Sequence, residues 1–587
     1  MSGTLRLVAA PGSEKADAAL RGLAEFLGVA CSSVPVTDLF AGAGNNASPC
    51  AISALGLRLA LALPRTAATG SPLKLLGQGT WLIHGFNPSP DDVALLQGLT
   101  DNAVAGVAPV PPGSRNYSYS EALDRRKIPF AGLAQSAPES HEVCSFEVQE
   151  GDPRLVVLVT VNGRALFVRL DLGGVRLYLL SAAPVADLDE RRQEDPERAG
   201  ADSRLLPAAI FLRTVFGTAC WTDPFPAANL VIDDPMIRPR YGFVEYHRLI
   251  KEANTHNFSV TIAFIPFNFD RTDPSVAIYL RGHGSRFSLA VHGYDHTAGE
   301  YGSGDGSMLA GKSRLALSRM RKHEELTGMP FDPVMVFPQG VFSRPAMEGL
   351  KRTGYDAAVN TIVSPVTGAD APPLHLRDLL DGAITAYSGF PLFSRRYPRS
   401  IFDFAVDLFW GKPVLLVEHH GYFKDGYAHL AGFVRQLGEL HQNLDWKPLG
   451  EIVTGHALFR LLDEGRFGVK FFSPSFRLRN PSSSSAIFLL EKEEPESGMV
   501  DRVEVNGRPA EFELGGGKIR GEIALPGSGR ASVRVIYRKT PPSPFNPSLK
   551  YRCFTASRRY LSDFRDNYIA RNARALAFAV KLKNLLK

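Results

Sequence analysis

A chain of 587 residues, 44% hydrophobic and 21% charged, is too long for one core, since single cores stop growing near ~250 to 300 residues; its ordinary composition excludes general disorder and fibrous repeats. The net charge of +6 is concentrated at one end, where Lys550 to Lys587 holds ten basic residues against Asp563 and Asp566. The remainder is slightly acidic, and no zinc-finger spacing, RNA-binding signature or recognition helix is present, which argues against nucleic acid as a partner.

The opening MSGTLRLVAAPGSEK reads as a strand and a turn, with no charged region ahead of an apolar run, so no secretory signal is expected. Cys31, Cys50, Cys144, Cys220 and Cys553 are odd in number and show no CxxC spacing. Reduced thiols and a cytoplasmic location follow as expectations. LRLVAA, a helical pattern over Glu14 to Phe26, TWLIHGF and a second helical pattern near Asp91 to Leu99 give α/β alternation. Ala51 to Leu63, the most apolar stretch, contains Arg58 and is shorter than the ~20 residues that span a bilayer. From Cys144 to Ala183 the period becomes two, with hairpins at Asn162-Gly163 and Gly173-Gly174. Residues 1–186 loosely resemble amidotransferase-like or flavodoxin-like domains, yet lack a nucleophile elbow, a phosphate loop or a spaced Cys/His pair. A non-catalytic scaffold is expected there.

Asp187 to Arg204 is charged and poor in large apolar residues, so 187–224 reads as a linker. Residues 225–464 alternate strands and helices: ANLVI, GFVEYHRLIKEAN, SVTIAFI, FSLAVHG, a long helix near Gly306 to Thr327, PVMVF, PAMEGLKRTG, YDAAVNT, PVLLVEHH and a helix near Tyr427 to Gln442. Such βαβ units predict a parallel sheet closed or nearly closed into a barrel. Over 465–540 short alternating strands with Gly-rich turns predict a β-sandwich. A basic helical tail, 541–587, follows. On a helical wheel of YIARNARALAFAVKLKNLLK, Lys583 and Lys587 fall on the side of Ile569 and Val580, a ragged apolar stripe that leaves the tail as a candidate contact with a membrane surface or an acidic partner.

Three motifs sit at strand ends, where parallel barrels assemble active sites. LVIDDP places Asp233 and Asp234 side by side, one able to bind a metal while the other serves as a base; a lone Asp here would only cap the next helix. AVHGYDH spaces His292 and His296 four apart, so that a helical loop lets both imidazoles share a cation. PVLLVEHHGYF delivers His419 and His420, whose unperturbed pKa of ~6.5 suits a general acid. Neighbours on a strand face opposite ways, so one of the two enters the site, with His419 favoured.

In order and spacing, VIDDP, HGYDH, VFPQG and VEHH resemble the polysaccharide deacetylase family, carbohydrate esterase family 4 or the NodB homology domain, over about residues 225–460. The resemblance implies a (β/α) barrel of the deformed polysaccharide deacetylase type. It also implies a divalent metal on Asp234, His292 and His296, Asp233 as base, and His419 or His420 as acid. Zinc is the first choice from the ligand set, with cobalt, manganese or iron also suited. The implied reaction removes N-acetyl groups from an amino-sugar glycan or its biosynthetic precursor. The chain departs from the family's pattern: VIDDP replaces TFDDG, Gly293 stands where Ser or Thr is usual, Val336 stands where an arginine orients the base, and Gln339 stands where an aromatic is usual. Gln339 falls where a backbone N–H meets the oxyanion. Arg238 or Arg240, in the loop after Asp234, is expected to supply the missing cation. If none does, the alternative is an impaired deacetylase-fold scaffold or glycan-binding protein in polysaccharide biosynthesis.

Overall fold

The computed structural model describes residues 3–38, 48–63, 72–139, 141–182, 185–192, 199–366, 373–538 and 545–572. Most of the basic stretch read on the helical wheel, 573–587, lies outside them.

Parallel strands need crossover helices, and the middle of the chain supplies them in turn. Its strands lie in the order Leu392–Ser394, Ala357–Asn360, Asp332–Val336, Phe287–His292, Val260–Phe264, Ala227–Asp233 and Val414–His419, every neighbouring pair parallel. The sheet curls until its two edges nearly meet. Arg396, just beyond Leu392–Ser394, bridges to Leu416, with its N–H 2.9 Å from the Leu415 carbonyl and its own carbonyl 2.9 Å from the Val417 N–H. This seam makes a nearly closed barrel whose strands all end on one rim.

Alternation along each strand decides which side chains enter the barrel. Val231, Ala290, Val334, Val336, Val359, Phe393 and Leu415 belong to one interior cluster, so residues two places further on point the same way. Asp233, His292 and Arg395 continue three of these rows onto the rim, and His419 lies four places beyond Leu415. Their neighbours Ile232, Leu289 and Leu416 face the surrounding helices in a separate cluster.

The N-terminal part is an eleven-stranded sheet. Its parallel half runs Ala30–Pro35, Thr4–Ala9, Cys50–Ser53, Gly79–Phe86 and Val175–Ser181. The helix Glu14–Phe26 is present with the bounds its sequence pattern predicts. The hairpin turns Asn162-Gly163 and Gly173-Gly174 have all four residues at positive φ, the conformation that matches strand twist in two-residue loops. Strand faces alternate between two clusters: Leu82 joins the large core shared with the barrel, Trp81 and Ile83 the opposite one.

The helix Ala199–Phe216 falls inside the stretch read as a linker, yet Leu205, Leu206, Ile210 and Phe211 are wholly buried in the shared core. The charged run that precedes it masked this short apolar segment. Arg213 lies 4.8 Å over the ring of Phe409 in the barrel helix Ile401–Trp410.

Beyond the barrel, a five-stranded and a four-stranded sheet lie between Ala457 and Tyr537, and their strands share one apolar cluster that includes Phe471, Phe488, Val503 and Val533. The helix Leu549–Phe564 starts at Ser548, whose hydroxyl accepts the Tyr551 N–H. It returns across the rim of the barrel.

Candidate metal centre and active site

Asp234 leaves the first barrel strand with φ of 82°, and His296 has φ of 56°. Positive φ is uncommon for residues other than glycine, although Asp and His adopt it more readily than most. Together the two turns bring Asp234, His292 and His296 into a cluster whose potential ligand atoms all lie within 4.8 Å of one another. Asp234 Oδ1 is 3.4 Å from His292 Nε2 and 3.2 Å from His296 Nε2. Tetrahedral ligands on bonds of ~2.0 to 2.2 Å stand roughly 3.3 to 3.6 Å apart, so the spacing suits a small divalent ion. His292 Nδ1 lies 2.9 Å from the Val336 carbonyl; donation there leaves Nε2 with its lone pair toward the cluster. Asp234 Oδ1 is buried and makes no hydrogen bond of proper geometry, an orphaned acceptor of the kind a cation satisfies.

Burial pushes Asp234 upward, but the two imidazoles outweigh it and hold the carboxyl well below its ordinary range. For His292, burial disfavours the charged form, yet Asp234 and Asp233 raise it above its ordinary value.

The loop that carries His296 is built on a residue the motif reading passed over. Glu300, buried, accepts the backbone N–H groups of Tyr294, Asp295 and His296 at 3.0, 3.2 and 3.0 Å. One carboxylate thereby fixes the whole turn through charge-assisted bonds. Gly293, at φ of 66°, makes this approach possible, because a Cβ there would overlap Glu300 Oε1 and Pro338. A serine or threonine at this position would collide with Glu300.

Asp233 is held by Arg395, which donates from Nη1 to Oδ1 and from Nη2 to Oδ2, both at 2.6 Å. Burial pushes Asp233 up, while the charges of Arg395 and His292 carry it below the ordinary carboxylate value. The expectation that Arg238 or Arg240 would orient the base is corrected here. Arg240 pairs with Glu245 on the outside of the loop, and Arg238 is exposed, its charge felt by Asp273. Neither is on an inward row. Arg395 is, two places beyond Phe393, while Arg396 faces outward to Asp407 at 2.8 Å. The strand Leu392–Ser394 is only three residues long, too short to register in the sequence pattern, but FPLFSRR offered the alternation that points to Arg395.

His419 and His420 part as adjacent strand residues should. His419 Nε2 is 4.0 Å from Asp233 Oδ2, and its side chain is 47% exposed. His420 turns away, its Nε2 3.7 Å from Asp566 in the C-terminal segment and its ring stacked on Phe243. Gln339 stands exposed at φ of 60°, its side-chain oxygen accepting the Gly299 N–H at 3.2 Å.

No family model and no curated protein matches the chain. Among solved structures, 36% of it aligns with 98% of a cytoplasmic protein from Salmonella typhimurium LT2, at 14% identity and a TM-score of 0.26. A family 4 carbohydrate esterase from Streptomyces lividans, solved in complex with acetate, aligns over 91% of its length with 38% of this chain, at 13% identity and a TM-score of 0.22. A mutant of a family 4 pseudoenzyme with restored activity aligns over 69% of its length with 40% of this chain, at 14% identity and a TM-score of 0.24. Likenesses this faint carry no weight for function; the weight falls on the side chains of the rim.

Proposed function

We propose that the protein is a metal-dependent hydrolase that removes N-acetyl groups from an amino-sugar glycan or its biosynthetic precursor. The observation that carries this reading is the pairing of two adjacent carboxylates with different partners: Asp234 with two imidazoles, Asp233 with a guanidinium. Asp234 Oδ1, His292 Nε2 and His296 Nε2 would hold the ion, with zinc first among zinc, cobalt, manganese and iron. When bound, such an ion polarises the acetamide carbonyl and brings the pKa of water toward ~7.

This chain's own residues supply the proton transfers. Asp233 takes a proton from the attacking water, and Arg395 keeps that carboxylate ionised and aimed. His419 is close enough to share the reaction space and protonates the departing amine. A backbone N–H near Gln339 meets the oxyanion. The Arg395 pair fixes and keeps ionised the carboxylate that the reaction needs as its base, which supports the enzyme reading. The test is acetate release from N-acetylated amino sugars by metal-stripped protein, before and after addition of zinc, cobalt or manganese. Metal-restored release is expected; no release from any substrate with any of these ions would leave the scaffold reading.

A further inference from the structure

The helix Leu549–Phe564 and the turn after it bury polar and charged side chains. Thr555, Arg559, Asp563 and Asp566 are buried against the barrel rim. Arg271 donates to Asp563 at 2.6 Å, the Tyr241 hydroxyl to Asp566 at 3.0 Å, the Gly242 N–H to Asn567 at 2.9 Å, and Arg558 to the His296 carbonyl at 2.6 Å. These partners stand on the loops after three different barrel strands, and His420 meets Asp566 from a fourth. The helix therefore spans the mouth beside the candidate metal centre.

Its outer side is apolar. Phe554, Leu561, Phe564 and Tyr568 are 63%, 69%, 54% and 67% exposed. Their spacing of seven, three and four residues sets them along one helix face. Leu549 and Tyr560 are exposed beside them, and every exposed large aromatic side chain among the described residues lies on this one segment. Lys550, Arg565 and Arg571 are exposed on the same segment, whereas its two acidic residues, Asp563 and Asp566, are buried. Residues 573–587 add Arg574, Lys581, Lys583 and Lys587 and no acidic residue. An apolar face with aromatic residues and a cationic fringe is the composition that enters the boundary between anionic headgroups and acyl chains. A second copy of this chain is a poorer occupant, because face-to-face pairing would oppose like charges.

We propose that the outer face of the Leu549–Phe564 helix and the turn after it docks on an anionic lipid bilayer, holding the barrel mouth at the membrane surface, and that the substrate is an N-acetylated amino sugar carried on a lipid. The substrate half rests on the deacetylase reading; the docking half does not. Among the described residues no helix is long and apolar enough to cross a membrane, so the contact is interfacial.

The test is co-sedimentation of the full chain with vesicles of phosphatidylcholine alone and of phosphatidylcholine with about one third phosphatidylglycerol. Binding to the anionic vesicles, weakened by salt, is expected. The variant Phe554→Ser/Leu561→Ser/Phe564→Ser should lower the bound fraction about tenfold or more, with an unchanged melting transition and unchanged acetate release from a short soluble substrate. Lys550→Glu/Arg571→Glu should weaken binding to the anionic vesicles selectively. Absence of vesicle binding overturns the docking, as does wild-type binding by the triple serine variant. A dimer seen by light scattering that the triple variant dissolves, without vesicle binding, assigns the face to a second copy and also overturns it. Asp234→Ala should bind vesicles like the wild type. Vesicle binding without acetate release from soluble or lipid-linked substrates would leave the docking standing and remove the deacetylase reading and, with it, the substrate.

Discussion

Arg395 grips Asp233 through two parallel hydrogen bonds of 2.6 Å, from just past the end of a strand that does not neighbour the Asp233 strand in the sheet. Removing the guanidinium strands a buried carboxylate, at a cost on the order of 3 to 5 kcal/mol unless the group takes up a proton, and a protonated Asp233 is no base. Arg395→Ala should therefore lower acetate release about a hundredfold or more while metal content by elemental analysis stays near one ion per chain. Arg240→Ala, which breaks only a surface pair with Glu245, should leave both unchanged. Retained activity in the Arg395 variant would remove its assigned role.

The two adjacent aspartates should separate in their effects. Asp233→Asn keeps the shape of the site and cannot accept the water proton, so turnover should disappear with metal content nearly unchanged. Asp234→Asn removes the charge that faces both imidazoles, and metal affinity should fall instead. Equal metal loss in both variants would contradict the division of roles.

Glu300 touches no ligand atom, and its effect should nonetheless appear in metal binding. In Glu300→Gln an amide N–H must face a backbone N–H, so the turn holding His296 loses part of its anchorage, and affinity should fall roughly 10- to 100-fold. Gly293→Ser, which crowds Glu300 and Pro338, should act in the same direction. Competition with a chromogenic chelator measures both; unchanged affinity would reduce Glu300 to a local loop contact.

At the opposite end of the barrel, burial lifts Asp332 to about 6, and its Oδ2 has no hydrogen-bond partner. The folded state thus prefers the protonated acid more than the unfolded chain does. The associated stability is whole below the unfolded value of ~3.9 and is lost as pH rises through about 6. Asp332→Asn should match the wild type near pH 4 and exceed it above pH 7, by an amount on the order of 2 to 3 kcal/mol. Denaturant melts at several pH values check this; a difference independent of pH would show that Asp332 does not titrate with folding.

Much of the site was legible because strand patterns are strong where the residues are fully buried. VIDDP, AVHGYDH and VLLVEHH follow apolar runs, so the rim positions of Asp233, His292 and His419 could be counted from them. The turn chemistry at Asn162-Gly163 and Gly173-Gly174 was equally plain. What escaped were groups whose roles depend on tertiary closure. Arg395 follows a strand of three residues, and its partner is 162 positions away in sequence. Glu300 acts on backbone N–H groups, which carry no sequence signature. The buried face of Leu549–Phe564 is charged, so an amphipathic reading of that segment by hydropathy alone points its apolar side the wrong way.

The seam where Arg396 bridges to Leu416 joins the two edges of the barrel beside the residue that steadies Asp233. Breathing of this joint would slacken the guanidinium grip while the helices and the remaining strands stay in place. Heat or mild denaturant should accordingly silence turnover ahead of the loss of secondary structure, and the gap between those two transitions would gauge how tightly the cylinder is stitched.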